Sequence, residues 1–148
     1  MEPSVACINL IKSFEGLSLR PYLDTARIPT IGYGTIKYPS GKRVTMQDSR
    51  ITVSEAFSYL MNDVANFAKS IDKLVKVPLT QNQYDAIVSF TYNVGIGALK
   101  SSTLLRKLNV NPNDPSIRAE FRKWVRAAGL VIKGLQNRRE KEANLYFS

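Results

Sequence analysis

The chain has 148 residues, with 21 Lys and Arg against 12 Asp and Glu, no His and one Cys. That length suits one domain with a substantial core, and the lone Cys7 excludes an internal disulfide framework. Without histidine, zinc chemistry has too few ligands; no metal or cofactor is expected, and catalysis near neutral pH must rest on carboxylates, hydroxyls and basic groups.

Val5, Ile8, Leu10, Ile11 and Phe14 recur at helical spacing behind Ser4, a suitable N-cap. Gly16 offers the stop, which puts Glu15 in the last turn. Cys7 lies on this apolar pattern and reads as a small core residue. The segment carries Glu2 where a secretory leader wants positive charge, and Asn9 and Lys12 break its apolar run. No window approaches the roughly 20 apolar residues of a membrane span, so the chain is expected to be cytoplasmic when made. From Ile28 to Thr45 the pattern changes: Thr, Ile, Tyr and Val become common and Pro39-Ser40-Gly41 supplies a turn. This predicts a small antiparallel sheet of two or three short strands. Thr52 or Ser54 starts a helix of roughly 20 residues, about 30 Å long, with Phe57, Leu60, Met61, Val64, Phe67, Ile71, Leu74 and Val75 as apolar positions. Pro78 ends it. Thr80 and Gln83 form a capping-box pattern ahead of Tyr84, Ile87, Val88 and Thr91. Gly95 and Gly97 are expected to break the chain, and Ser101 or Ser102 to cap a short helix ending near Asn109. Asp114-Pro115 reads as N-cap and N1 of a helix through Trp124 and Val125, with Gly129 near its end. A final helix follows Gly134.

This order predicts an α+β fold in one domain, residues 1–148. A small β-containing lobe is expected at about 15–53, and a larger helical lobe at about 76–148 together with the N-terminal helix. The long helix would join them.

The densest chemistry lies in Glu15 to Thr35, EGLSLRPYLDTARIPTIGYGT. Glu15 closes a helix and Asp24 sits in extended, turn-rich chain, so the two acids can face each other across a gap. Thr30 follows, and then a glycine-punctuated turn through Gly32 and Gly34. Two carboxylates in different surroundings, one protonated and one ionised, are what glycosidic-bond hydrolysis requires. Singly, each would read as a solvated helix-end acid, a turn former and an ordinary strand residue.

The spacing of Glu15, Asp24 and Thr30 before TIGYG resembles the active-site segment of the phage-type lysozymes, endolysins of glycoside hydrolase family 24. The resemblance continues through PLTQNQYDAIVSFTYNVGIGALKSSTLLRKLN and GLQNRREKEANLY, and it looks closer to endolysins of Gram-negative hosts. It implies a mainly helical lysozyme-like fold and hydrolysis of the β-1,4 bond between N-acetylmuramic acid and N-acetylglucosamine in peptidoglycan. Glu15 would be the general acid, with Asp24 and Thr30 positioning water or stabilising the transition state. The resemblance places Tyr92 and Asn93 along the saccharide cleft; Tyr92 reads equally as a stacking face or as core. Ser102 and Thr103 read as sugar contacts or helix caps. Arg138 matches a position beside the catalytic glutamate, and Arg139 is an alternative because helix phase is uncertain. An arginine there would orient the acid, yet its charge would favour ionisation unless burial opposes it. Thr35 stands where the family often carries histidine, so a histidine ion pair is not expected.

The net charge of +9 suits an anionic polysaccharide. From Ser116 onward eight basic residues face three acids. Ile117, Phe121 and Trp124, flanked by Arg118, Arg122 and Lys123, fit either a core-packed helix or a surface engaging outer-membrane or other anionic lipid. A lytic transglycosylase and a cationic membrane-disrupting protein are the competing functions. No helix-turn-helix, zinc or RNP pattern supports nucleic-acid binding. A monomer is expected, released from the host cytoplasm to the periplasm through a separate holin.

Overall fold

The computed structural model describes residues 1–148, and its first helix forms as the cap and stop signals dictate. The Ser4 hydroxyl accepts the Cys7 N–H at 3.2 Å and starts α1 (Val5–Glu15). At the other end the Gly16 N–H donates to the Lys12 carbonyl, and the glycine turns the chain with φ +68°.

The sheet begins earlier than expected. β1 (Ser18–Leu23) pairs antiparallel with β2 (Pro29–Gly32), with Tyr22 opposite Thr30, and residues 33–44 add only the bridges Ile31–Thr35 and Lys37–Arg43. β1 escapes a reading by alternation because Pro21 interrupts it; proline lacks a ladder donor, and the register shifts between Ser18 and Tyr22.

α2 (Val53–Leu74) carries a full capping box between Thr52 and Glu55 and runs for 22 residues. It ends four residues before Pro78, because Asn109 caps it from a distance. The Asn109 amide donates to the Leu74 carbonyl at 3.0 Å and accepts the Lys76 N–H at 2.8 Å. α3 (Gln81–Val94), capped by Thr80 and Gln83, is the central helix and is buried continuously from Gln83 to Thr91. Gly95 stops it at φ +93°, but Gly97 does not break the chain: it lies inside α4 (Ile96–Ser101). Ser102 caps α5 (Thr103–Val110).

Three expectations fail in the last third. Asp114 bonds the Ser116 N–H and hydroxyl at 2.8 Å, and α6 covers only Ile117–Arg122. Gly129 is not a helix end; with Ala128 it forms the turn of a hairpin, β3 (Arg126–Ala127) and β4 (Leu130–Val131). Both turn residues have positive φ, 51° and 78°, the geometry of a two-residue hairpin that alanine rarely adopts. The final helix, α7 (Lys133–Tyr146), includes Gly134 rather than following it.

One buried cluster unites the elements. Cys7 and Ile11 of α1, Ile31 and Tyr33 near β2, Leu60 and Val64 of α2, Ile87 and Phe90 of α3, and Phe121 of α6 all belong to it. α7 contributes differently, burying Arg138, Arg139 and Glu142 along with Ala143 and Tyr146. No helix is long and apolar enough to cross a membrane.

Candidate active site

Glu15 stands at the last position of α1, where Gly16 releases the chain, and its side chain keeps 18% of its surface open. Its two oxygens have different neighbours. Oε2 accepts Arg138 Nη1 at 2.5 Å. Oε1 faces the backbone of Gly34, where an added Cβ would lie 2.7 Å away. Gly34 also has φ +87°, so position 34 needs glycine both for its turn and for the acid beside it.

Arg138, not Arg139, is therefore the partner of Glu15. Its guanidinium, almost fully buried, also donates from Nε to Glu142 Oε2 at 3.1 Å and from Nη2 to the Ser89 carbonyl at 2.9 Å. The Phe14 ring lies 4.8 Å from its centre. Arg139 points elsewhere: Nη2 donates to Asn93 Oδ1, Nη1 lies 3.0 Å from Glu142 Oε1, and its guanidinium carbon sits over Phe90. Burial lowers Arg139 to about 10, which leaves it cationic at neutral pH.

Asp24 occupies the turn between β1 and β2. Its Oδ1 accepts the N–H groups of Ala26 and Ile28 at 2.8 and 2.9 Å, which leaves Oδ2 without a protein donor. Ile28 ties this turn together, since its carbonyl accepts both the Asp24 N–H and the Thr30 hydroxyl. With its proton committed to that carbonyl at 2.8 Å, Thr30 Oγ1 can only accept from a water. Tyr22 stands opposite Thr30 in the ladder, and its phenol is pushed up by burial first and then by the charges of Glu15 and Asp24.

The other expected site residues divide. Tyr92 donates its hydroxyl to the Tyr33 carbonyl at 2.6 Å and packs on Phe67, so it braces the glycine turn from the core side. Burial, followed by Asp63 and Glu15, drives its phenol upward. Asn93 is exposed at the end of α3, with its amide oxygen held by Arg139. Ser102 is buried, and its hydroxyl is fully used as a cap, accepting the Leu105 N–H and donating to the Leu99 carbonyl. Thr103 accepts from Arg106.

Several residues around the site gave no sequence signal. Glu142 and Ser89 complete the Arg138 cradle. Asp63 on α2 accepts the Thr35 hydroxyl at 2.7 Å, in place of the histidine pair that Thr35 rules out. Only spatial neighbours mark these residues out, since each reads in sequence as an ordinary polar position on a helix.

The sequence matches the phage lysozyme family over residues 12–142. It is 47% identical over 150 residues to an endolysin of Bacillus phage B103, covering 100% of this chain and 55% of that protein. The chain thus spans about half the length of that relative. Among solved structures, the endolysin from Escherichia coli O157:H7 phage FAHEc1 is 42% identical with a TM-score of 0.88, covering 100% of this chain and 94% of that one. The muramidase domain of SpmX from Asticaccaulis excentricus is 32% identical with a TM-score of 0.82, over 99% and 98%. The resemblance to endolysins of Gram-negative hosts holds for the Escherichia phage protein and extends to a Bacillus phage. With its lysozyme-like α+β fold and a match covering most of its length, the chain belongs to the phage lysozyme family.

Proposed function

We propose that the protein is a lysozyme, an N-acetylmuramidase that hydrolyses the β-1,4 bond between N-acetylmuramic acid and N-acetylglucosamine and serves as an endolysin. One observation carries the reading: a partly open Glu15 carboxyl, held from behind by buried Arg138, lies against Gly34 at the end of the two-stranded sheet whose turn carries Asp24 and whose second strand carries Thr30. Glu15 gives its proton to the glycosidic oxygen as the bond from C1 breaks. A water accepted by Thr30 Oγ1 attacks C1 and passes a proton to the free Oδ2 of Asp24. Attack from the face opposite Glu15 inverts the anomeric centre. Asn93 lines the saccharide cleft, and Tyr92 supports it from below.

The SpmX likeness favours hydrolysis on the same scaffold. Mass spectrometry of digested, purified peptidoglycan tests it. Reducing muramic acid ends are expected; 1,6-anhydro ends would make the protein a lytic transglycosylase, and no cleavage would overturn both.

We read the chain as a single catalytic domain of two lobes, with the boundaries given above, acting as a monomer. Its substrate is the glycan strand of the wall, reached from the host cytoplasm by holin-dependent release. A second contact, with anionic outer-membrane lipid, is favoured by one feature. Leu130, Val131 and Ile132 are exposed on the hairpin, flanked by Arg126 and Lys133.

A further inference from the structure

Arg138 poses a difficulty for an acid. Its guanidinium lies 2.5 Å from Glu15 Oε2 and orients the carboxyl, whereas a cation beside any carboxyl works against the proton that a general acid has to give. Glu142 stands on the other side of that guanidinium, four residues along α7, and its side chain is wholly buried. Oε2 accepts from Arg138 Nε at 3.1 Å and from the Ser89 hydroxyl at 2.5 Å, and Oε1 lies 3.0 Å from Arg139 Nη1. The guanidinium of Arg138 is thus fixed by Glu142 at Nε, by the Ser89 carbonyl at Nη2 and by Glu15 at Nη1. A carboxylate is costly to bury, and an apolar residue could fill the same helix face without desolvation. Packing alone does not account for it.

Building on the reading of Glu15 as the acid, we propose that Glu142 is a positioning residue for it. Glu142 holds Arg138 in the orientation that reaches Glu15, and it shares the guanidinium's charge so that less of it bears on Glu15.

The surrounding charges are accounted for. On α7, Arg138 and Arg139 face Glu142, while Glu140 turns outward to Arg122 of α6 and Lys141 lies over Phe14. From α3 come Ser89 and, further off, Asp85, which is bonded by Ser4 and Gln81. From α1 comes the Cys7 thiol, pushed up to about 12 by burial and the nearby carboxylates. Glu120 of α6 is occupied by Lys107 and Lys123. Burial pushes the Glu142 carboxyl up and outweighs the opposing pull of Arg139, Arg138 and the Ser89 hydroxyl.

The test is the pH profile of kcat on purified peptidoglycan. In Glu142→Gln, Arg138 acts undivided on Glu15, so the alkaline limb should move to lower pH by about one unit, with KM little changed. In Arg139→Gln, the whole Glu142 charge falls to Arg138, and the limb should move to higher pH. Opposite shifts are not produced by general loosening, which lowers kcat at every pH alike. A limb that stays in place in both folded variants overturns the proposal. If Glu142→Gln does not fold, Arg139→Gln decides by the sign of its shift. Should neither fold, the Arg138 Nε–H of the unaltered protein decides: exchange slower than that of exposed Arg122 supports the cradle, and equal exchange overturns it. Failure of the underlying reading looks different, because it would show as near-normal turnover by Glu15→Gln.

Discussion

Gly34 and Arg138 hold Glu15 from two sides, one by leaving no room for a Cβ and the other by a charged hydrogen bond. Such a carboxyl keeps one geometry before substrate arrives, which is what lets a proton transfer be fast. Glu15→Gln preserves the shape and removes the proton, so lysis of permeabilised cells should fall by about 10²–10⁴-fold. Thermal unfolding run alongside should show the variant folded; if it is folded and still turns over normally, Glu15 is not the acid. Glu15, Asp24 and Thr30 stood out in sequence through the resemblance of one short stretch to the active-site segment of the phage-type lysozymes, since each alone reads as an ordinary residue. Arg138 could not be separated from Arg139, since both are buried and the buried side of α7 is marked by only two apolar residues, Ala143 and Tyr146, both C-terminal to the arginines. Glu142 could not be read at all: a glutamate in so hydrophilic a helix looks solvated. Ser102, weighed as a sugar contact, proves to be spent on capping α5.

Among the elements, a complete cap was legible at α3, where Thr80 with Gln83 sets the start as their spacing required. At α2 the start was open between Thr52 and Ser54, and the Thr52–Glu55 capping box decides it. Where the decisive partner lies far along the chain, the reading failed, as when Asn109 ends α2. The 126–131 hairpin failed for another reason, because its turn places alanine at positive φ. The contact between α2 and the segment after β2 includes the Thr35–Asp63 hydrogen bond as well as the Tyr38–Tyr59 ring pair. Burial pushes the Asp63 carboxyl up to about 6, outweighing the Thr35 hydrogen bond. Folding therefore favours the protonated form, so this contribution is complete below about pH 4 and is lost as pH rises through about 6. Asp63→Asn still accepts from Thr35 and never ionises. It should match the parent protein in urea at pH 4 and exceed it at pH 8 by about 1–2 kcal/mol, after allowance for solvent screening at this partly open group. Equal urea midpoints at pH 8 would show that Asp63 ionises there without penalty.

For the molecule as a whole, the charge total was legible but its distribution was not. Of the basic residues after Ser116, Arg138 and Arg139 are buried, Arg118 bonds Asn144 over Phe147, Arg122 pairs with Glu140, and Lys123 pairs with Glu120. Ile117 and Phe121 are in the core, and Trp124 packs on Phe90. The 117–124 segment thus packs its apolar face into the core, with Arg122 and Lys123 paired to carboxylates and Arg118 bonded to a neutral amide, so the proposal of lipid contact moves to the hairpin. Leu130, 68% exposed, is its most open apolar residue. Attraction by Arg126 and Lys133 is screened over about 8 Å at physiological salt. Catalytically inactive Glu15→Gln should therefore admit a permeability marker into intact Gram-negative cells at low salt, and less at physiological salt. Leu130→Ser should reduce that uptake. No uptake at either salt would remove the membrane contact and leave wall hydrolysis as the sole activity.

The charged interior of α7 also bears on how this sequence can drift. An apolar core accepts one substitution of similar volume with little loss, so its positions can diverge one at a time. Positions 15, 89, 138, 139 and 142 are tied together, because removing one member takes a partner from a buried charge on another. Lineages that lose the carboxylate at 142 should have lost the cation at 139 as well, exchanging both for apolar residues in close succession. In an alignment of descendants, those two columns would change together, while the apolar positions of α2 and α3 vary independently.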